Sequence, residues 1–169
     1  MQAQARGRFT RASCGARPSE REEDDMVDRT DVGAVVDEIY AMISGPAGPR
    51  DWARQRAIFH PEARQVRTWI DADGRPAMKM MGPAEYEADT TPFFAANDFF
   101  EVEIARRIDV FGNIAHVWSA YEARRAQGDA EPERRGENSI QLVRDADGLW
   151  SVLAMVWDNE REGVRIEAF

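Results

Sequence analysis

The hydrophobic pattern changes its period part-way along the chain, and this change constrains the fold more than any other feature. Before Asn97 the apolar residues recur at helical spacing, as in Val32, Val35, Val36 and Ile39. After Asn97 apolar and polar residues alternate with a period of two in four long segments, which predicts four β-strands. These strand segments are 99–111, 114–125, 134–144 and 149–158.

Short turn sequences separate the strands and indicate hairpins. Gly112-Asn113 lies between the first two strands, and Asp145-Ala146-Asp147-Gly148 lies between the last two. In the first half the pattern predicts helices over 31–43, 51–59 and 82–94 and short strands at 66–70 and 79–81. Helices combined with an antiparallel meander predict an α+β domain, with the helices packed on one face of a curved sheet.

Charge and composition exclude several classes of protein. The chain has 22 basic and 31 acidic side chains, a net charge of -9, so neither nucleic acid nor membrane is an expected partner. No apolar run approaches the roughly 18 residues of a membrane span. With Cys14 as the single cysteine and only two histidines, neither an intramolecular disulfide nor a zinc site is expected. No cofactor-binding motif occurs, and we expect a cytoplasmic protein without a cofactor.

Composition also divides the chain into three parts. Residues 1–25 contain almost no large apolar side chain, and their arginines are followed by an acidic run, which predicts a disordered tail with its boundary at residue 29. Met26 directly precedes the first patterned segment, so the sequence leaves open a start at Met1 or at Met26. Residues 30–159 form the predicted domain, and residues 160–169 form a C-terminal extension.

Three local strings within the domain resemble a known superfamily. The first contains Trp52, six further residues, and Phe59-His60-Pro61-Glu62-Ala63. The second is Phe111-Gly112-Asn113-Ile114-Ala115-His116-Val117-Trp118. The third is Ser139-Ile140-Gln141-Leu142-Val143-Arg144 followed by Gly148-Leu149-Trp150-Ser151-Val152. In these strings and in the order of elements, residues 30–159 resemble the nuclear-transport-factor-2-like superfamily, within its SnoaL-like and ketosteroid-isomerase-like branch.

This resemblance implies a cone-shaped, curved antiparallel sheet wrapped around three N-terminal helices, with a pocket at the open end. Members of the superfamily include isomerases, dehydratases and cyclases as well as proteins that only bind, and many are homodimers. Fold alone therefore does not assign an activity. Tyr40 lies about where the helix tyrosine of ketosteroid isomerases lies. The position that matches their oxyanion-hole acid is Ile140 here, which argues against a steroid isomerase.

Strand alternation selects the candidate site residues, because successive side chains point to opposite faces of a sheet. We place on the concave face the sets that begin with Ile114, Asn138 and Trp150, since together they carry the larger apolar content. The site residues predicted on this basis are His116, Asp158 and Tyr40 as catalytic groups, and Arg106, Trp118, Glu122 and Asn138 as ligand-binding groups. Each is also compatible with a purely structural role in packing, ion pairing or strand capping.

Two functional hypotheses follow from this set. One is a cofactor-free isomerase, dehydratase or cyclase that uses acid–base chemistry on a small hydrophobic carbonyl compound. The other is a non-catalytic ligand-binding or dimeric interaction module. A homodimer is predicted in either case, through a convex strip that is too apolar to face water. This strip consists of Val117, Tyr121, Leu153, Met155 and Trp157.

Overall fold

Three helices form where capping side chains and helical spacing coincide. The computed structural model describes residues 27–167. Helix α1 (Val32–Ile43) is capped by Asp31, whose carboxylate accepts from the Gly33 N–H at 2.6 Å. Helix α2 (Trp52–Ile58) is capped in the same way by Asp51. Helix α3 (Pro83–Ala96) starts with a proline, which loses no hydrogen bond at the first helical position.

Six strands form one sheet that is mixed and not purely antiparallel. They are β1 (Phe59–Ile70), β2 (Pro76–Met81), β3 (Phe100–Phe111), β4 (Ile114–Arg124), β5 (Arg134–Arg144) and β6 (Trp150–Asn159). The spatial order is β2-β1-β6-β5-β4-β3, and the β1–β6 pair is parallel while all other pairs are antiparallel. The predicted α+β class and curved sheet are confirmed.

Two details of the predicted architecture are corrected. The third helix lies between β2 and β3, so the helices do not all precede the sheet. Strand β1 begins at Phe59, directly after α2, and includes His60-Pro61, so the predicted short strand at 66–70 is only the end of a longer one. Proline is tolerated there because a register shift between Phe59 and Arg64 interrupts the ladder with β6.

The core lies between α1 and the face of the sheet that carries Ala115, Val117, Ser119 and Tyr121, all at most 3% exposed. The predicted face of β4 is therefore wrong, and the set containing His116, Trp118 and Glu122 lies on the opposite, convex side. Apolar content misled the prediction, because the outward set of β4 includes the large side chains Ile114 and Trp118. The same error affects the predicted dimer strip, since Val117, Tyr121 and Met155 are buried.

Two irregularities in register reverse the parity within single strands. Between Glu103 and Ala105 of β3 the pairing with β4 skips Ile104, and between Val152 and Ala154 of β6 the pairing with β5 skips Leu153. Before its irregularity β3 directs Glu101 and Glu103 to the concave face, opposite Ala123 and Tyr121. After the irregularity at Leu153, β6 directs Met155, Trp157 and Asn159 to the concave face.

Both ends of the predicted domain, residues 30 and 159, lie within the described part of the chain. Residues 1–26 of the predicted tail lie outside the described residues, but Arg29 lies within them and contacts β6. Its Nε donates to the Trp150 carbonyl at 3.0 Å, and its Nη2 donates to Ser151 Oγ at 2.6 Å. Within residues 27–167 none of the helices has the length and apolar character that crossing a membrane requires.

Candidate functional site

A cavity of about 190 Å³ lies between α3 and the concave face of the sheet. Its wall is mainly aromatic, and neighbouring rings contact one another edge-on: Tyr86 lies 6.0 Å from Trp52 and 6.2 Å from Trp157, centroid to centroid. A dry cavity of about 150 Å³ is large enough to hold benzene. The aromatic lining consists of Tyr86, Phe93, Phe94, Phe99, Tyr121 and Trp157.

The rim of the cavity is charged. Arg67 and Arg134 are exposed and Asp89 is half-buried, and all three also line the cavity. Asp89 forms an ion pair with Lys79 and lies 3.7 Å from Arg67. Because the exposed residues lie at this end, the cavity opens on the side of Arg67 and Arg134, and the aromatic wall lies deeper.

Glu101 is the acidic side chain that the fold brings to the aromatic wall. Its backbone is fixed by Ser44, whose Oγ accepts from the Glu101 N–H at 3.0 Å and donates to the Glu101 carbonyl at 3.2 Å. Among the described residues no side chain forms a hydrogen bond or ion pair with its carboxyl group. Burial raises the pKa of Glu101 to about 8, and the positive charge of Arg134 opposes this shift. At neutral pH the carboxyl is therefore mostly protonated.

The tyrosines around Glu101 stay neutral over the same pH range. Burial raises the pKa values of Tyr40, Tyr86 and Tyr121 well above the usual tyrosine value, and the nearby Glu101 charge adds to each shift. Tyr121 donates to Asn159 Oδ1 at 2.9 Å. Its ring packs directly over Gly136, where an added Cβ would also lie 2.5 Å from the Asp158 carbonyl oxygen. Glycine at this position therefore allows the close approach of Tyr121.

A chain of hydrogen bonds connects the cavity to the surface. Asn138 lines the cavity, and its Nδ2 donates to Tyr40 Oη at 3.0 Å. Tyr40 Oη forms a short hydrogen bond with Ser119 Oγ, and Ser119 donates in turn to Glu103 Oε1. Glu103 accepts from Arg106 Nε at 2.9 Å, and Arg106 also pairs with Asp37. The chain thus starts at a buried amide and ends at ionised groups beside α1.

Of the predicted site residues, the structure brings Tyr40, Asn138 and Arg106 into this one chain. Asn138 and Tyr40 are buried, whereas Arg106 lies at the far end of the chain. Only Asn138 of the three lines the cavity. Tyr40 lies on α1, whereas Asn138 and Arg106 lie on strands. The first helix therefore approaches the sheet at Tyr40, as the sequence analysis expected.

The other four predicted residues lie on the convex side with local partners. His116 Nε2 forms a hydrogen bond with Ser139 Oγ at 3.0 Å, and its ring contacts Trp118 edge-on at 5.1 Å. Glu122 pairs with Arg124 at 2.6 Å. Asp158 pairs with Arg161 at 2.8 Å, and no contact joins it to His116 among the described residues.

A groove of about 220 Å³ on this convex side contains two of these residues. It lies between the sheet and the C-terminal segment 160–167, and Trp118 and Asp158 line it together with Val164 and Ile166. Asp158 is already paired with Arg161, and Glu137 and Glu160 also line the groove. Within residues 27–167 no group of three or more histidine, cysteine, aspartate or glutamate side chains is placed to hold a metal ion.

Sequence reasoning missed Glu101, Tyr86 and Arg134 as cavity residues. Glu101 alternates with Phe100 and Val102, and such alternation usually indicates that the apolar residues face the core. The structure has the opposite arrangement, with Val102 51% exposed. One signal in the sequence could have identified Glu101. Both Glu101 and Glu103 lie between apolar residues in the first strand of the meander.

Comparison with solved structures supports the predicted fold resemblance. A proposed ketosteroid isomerase from Shewanella frigidimarina is 18% identical, covers 75% of this chain and 93% of its own, and has a TM-score of 0.52. A nuclear-transport-factor-2-like protein of unknown function from Pseudomonas putida is 10% identical, with coverages of 77% and 84% and a TM-score of 0.59. A proposed calcium/calmodulin-dependent protein kinase type II association domain from Thiobacillus denitrificans is 16% identical, with coverages of 77% and 95% and a TM-score of 0.57.

These similarities concern the fold alone, since all three identities are low. No protein-family model matches the sequence, and no curated protein matches it either. The shared fold confirms the resemblance to the nuclear-transport-factor-2-like superfamily at the level of architecture. Activity has to be argued from the cavity itself.

Proposed function

We propose that this chain binds a small, largely apolar molecule in the cavity between α3 and the sheet, and that Glu101 exchanges a proton with it. The observation that carries this proposal is a carboxyl group that faces an aromatic wall without a hydrogen-bonding or ion-pairing partner among the described residues. Structural carboxylates are normally paired or solvated, whereas acid–base catalysts are placed in surroundings that shift their pKa.

Such a carboxyl suits chemistry next to a carbonyl group. In its protonated form Glu101 donates a hydrogen bond to a carbonyl oxygen, and in its ionised form it removes a proton from the adjacent carbon. Isomerisation, dehydration and cyclisation of carbonyl compounds all use these two steps, and neither step requires a cofactor. The proposal thus retains the predicted reaction class and assigns its proton transfer to Glu101 instead of His116 or Asp158.

Hydrogen exchange of a probe ketone tests this proposal. The protein is incubated with 2-tetralone in D₂O, and NMR follows both binding and the loss of the hydrogens next to the carbonyl. We expect wild type to bind the probe and accelerate exchange, and Glu101→Gln to bind it without acceleration. Glu62→Gln, which changes an exposed acid of β1, is the matched control and keeps the wild-type rate. If no apolar aromatic probe binds to the protein, the proposal is refuted.

Non-catalytic binding is the second candidate, because one observation favours it. A catalytic acid–base pair needs two groups within hydrogen-bond reach, and in the described part of the chain no second ionisable side chain forms a hydrogen bond with Glu101. Binding of 2-tetralone without faster exchange in wild type supports this candidate. Native mass spectrometry of the purified protein, which detects a retained small molecule, then identifies the ligand.

The predicted homodimer is retained as a proposal with a corrected surface. We propose that a second copy covers the convex face around Trp118 of β4 and Val156 of β6, which both pair with Ser139 of the strand between them, β5. Val156 is 38% exposed, as is Leu153, and Val102 on the same side is 51% exposed. An apolar patch of this kind costs free energy in water and is commonly covered by a partner.

A further inference from the structure

The hydrogen bonds from Glu103 to Asn138 have a defined direction. Glu103 forms an ion pair with Arg106, whose Nε donates to Glu103 Oε1 at 2.9 Å, and a carboxylate in such a pair only accepts hydrogen bonds. Ser119 has a single hydroxyl proton and donates it to Glu103. Ser119 Oγ is then left to accept, and Tyr40 Oη donates to it.

This direction fixes the orientation of the Asn138 amide. Since Tyr40 gives its one proton to Ser119, Tyr40 Oη accepts from Asn138, and only the NH₂ group of Asn138 can donate. The Asn138 carbonyl oxygen therefore lies on the other arm of the amide. Reversing the amide would place two acceptors, or two donors, opposite each other somewhere along the chain to Glu103.

The carbonyl oxygen of Asn138 is left without a partner. Asn138 is 1% exposed, and within residues 27–167 no donor reaches its Oδ1. A buried carbonyl oxygen without a donor is costly, and native structures rarely keep one without a reason. Because Asn138 lines the aromatic cavity, the missing donor can be supplied from the cavity.

We propose that the ligand presents a hydrogen-bond donor, a hydroxyl or N–H group, to Asn138 Oδ1. This inference rests on the proposed function, because it assigns a second polar group to the molecule that contacts Glu101. The ligand class is then a compact apolar compound that carries a hydroxyl or N–H group in addition to the group facing Glu101. A bare carbonyl or carboxylate oxygen at this position would meet another acceptor and be rejected.

Two probes that differ only in a donor test this inference: 2-naphthol and its methyl ether, 2-methoxynaphthalene. Their dissociation constants are measured by tryptophan fluorescence or calorimetry. We expect wild type to favour naphthol over the ether by at least about ten-fold, because a site that hydrogen-bonds a hydroxyl discriminates strongly against an analogue without it.

Ser119→Ala tests the direction of the chain. Without Ser119 Oγ, Tyr40 can donate to Asn138 Oδ1, the amide turns, and its NH₂ group faces the cavity and the ether oxygen. The ratio of the two affinities should then fall by about ten-fold relative to wild type. Comparing ratios between proteins cancels the difference in size between the probes. Ser139→Ala, one position beyond Asn138 on the convex side, is the matched control and keeps the wild-type ratio.

The outcomes separate this inference from the proposed function. Equal affinities in wild type, or a ratio that Ser119→Ala leaves unchanged, overturn the donor requirement while the cavity still binds apolar ligands. Failure of both probes to bind wild type overturns the proposed function itself. If Ser119→Ala does not fold, Tyr40→Phe replaces it, because it also removes the fixed amide orientation and should lower the ratio. The wild-type ratio tests the donor requirement without any variant.

Discussion

Replacing Glu101 with glutamine should make the protein more stable at alkaline pH. The pKa of Glu101 is raised from 4.5 to about 8, so ionising it in the folded protein costs about 1.4 kcal/mol per pH unit across this interval, or about 5 kcal/mol in total. Glutamine has nearly the same shape and never ionises, so the variant avoids this cost. Because the cavity opens at a charged rim, entering water makes this figure an upper value.

The pH dependence has a definite sign. Between pH 4.5 and about 8 the folded protein keeps a proton on Glu101 that the unfolded chain has lost, so the free energy of unfolding falls as pH rises through this window. Below it both states are protonated and the group costs nothing. Tyr40, Tyr86 and Tyr121 keep their protons in this window because burial raises their pKa values, and the charge of Arg134 acts on Glu101 by lowering its pKa.

Urea denaturation at a series of pH values from 5 to 9 measures this effect. The difference in unfolding free energy between Glu101→Gln and wild type should be small at pH 5 and grow to several kcal/mol at pH 9. Glu62→Gln, at an exposed position, controls for the loss of one negative charge and should follow the wild-type curve. Parallel curves for wild type and Glu101→Gln would refute the assignment of a strongly raised pKa to this carboxyl group.

Three further predictions concern packing, assembly and the tail. Gly136→Ala should lower the free energy of unfolding by about 1–3 kcal/mol, because its Cβ meets Tyr121 and the Asp158 carbonyl; Gly128→Ala, with open space around it, should be neutral, and equal stabilities would contradict the packing argument. Val156→Glu should convert a dimer to a monomer in analytical ultracentrifugation, whereas Val110→Glu, on the other face, should not; an unchanged mass would remove the proposed interface. Deleting residues 1–26 should leave the melting temperature unchanged, while deleting residues 1–29 should lower it through loss of the Arg29 hydrogen bonds to β6; a large drop for the shorter deletion would show that the tail stabilises the domain.

The elements of the fold could be predicted from the sequence because each depends on local signals. Asp31 and Asp51 cap helices where the sequence places them, and Gly112 and Gly148 take positive φ values in the two predicted hairpins. The parallel pairing of β1 with β6 could not be predicted, because it joins segments about ninety residues apart and leaves no local signature.

The site could be predicted only in part because the side-chain faces depend on register. A single skipped residue exchanges the two faces of a strand, and Ile104 and Leu153 are such residues. Nothing in the local sequence marks either position, since both are ordinary apolar strand residues. Asn138 was found because the predicted face of β5 is correct, and Tyr40 was found because α1 packs against the concave face. Glu101 was missed because it precedes the irregularity in β3.

Inverted polarity at one residue pair in each of β3 and β4 connects the two proposed surfaces. Strand β3 directs Glu101 inward and Val102 outward, and β4 directs Ser119 inward and Trp118 outward, the reverse of what burial alone favours. This arrangement costs free energy twice, once for apolar groups in water and once for polar groups in the interior. In our two proposals, a ligand that hydrogen-bonds Glu101 offsets the interior cost, and a second copy on the convex face offsets the exterior cost. Since the two offsets involve different residues, Glu101→Gln should leave assembly intact, and Val156→Glu should leave the naphthol preference intact.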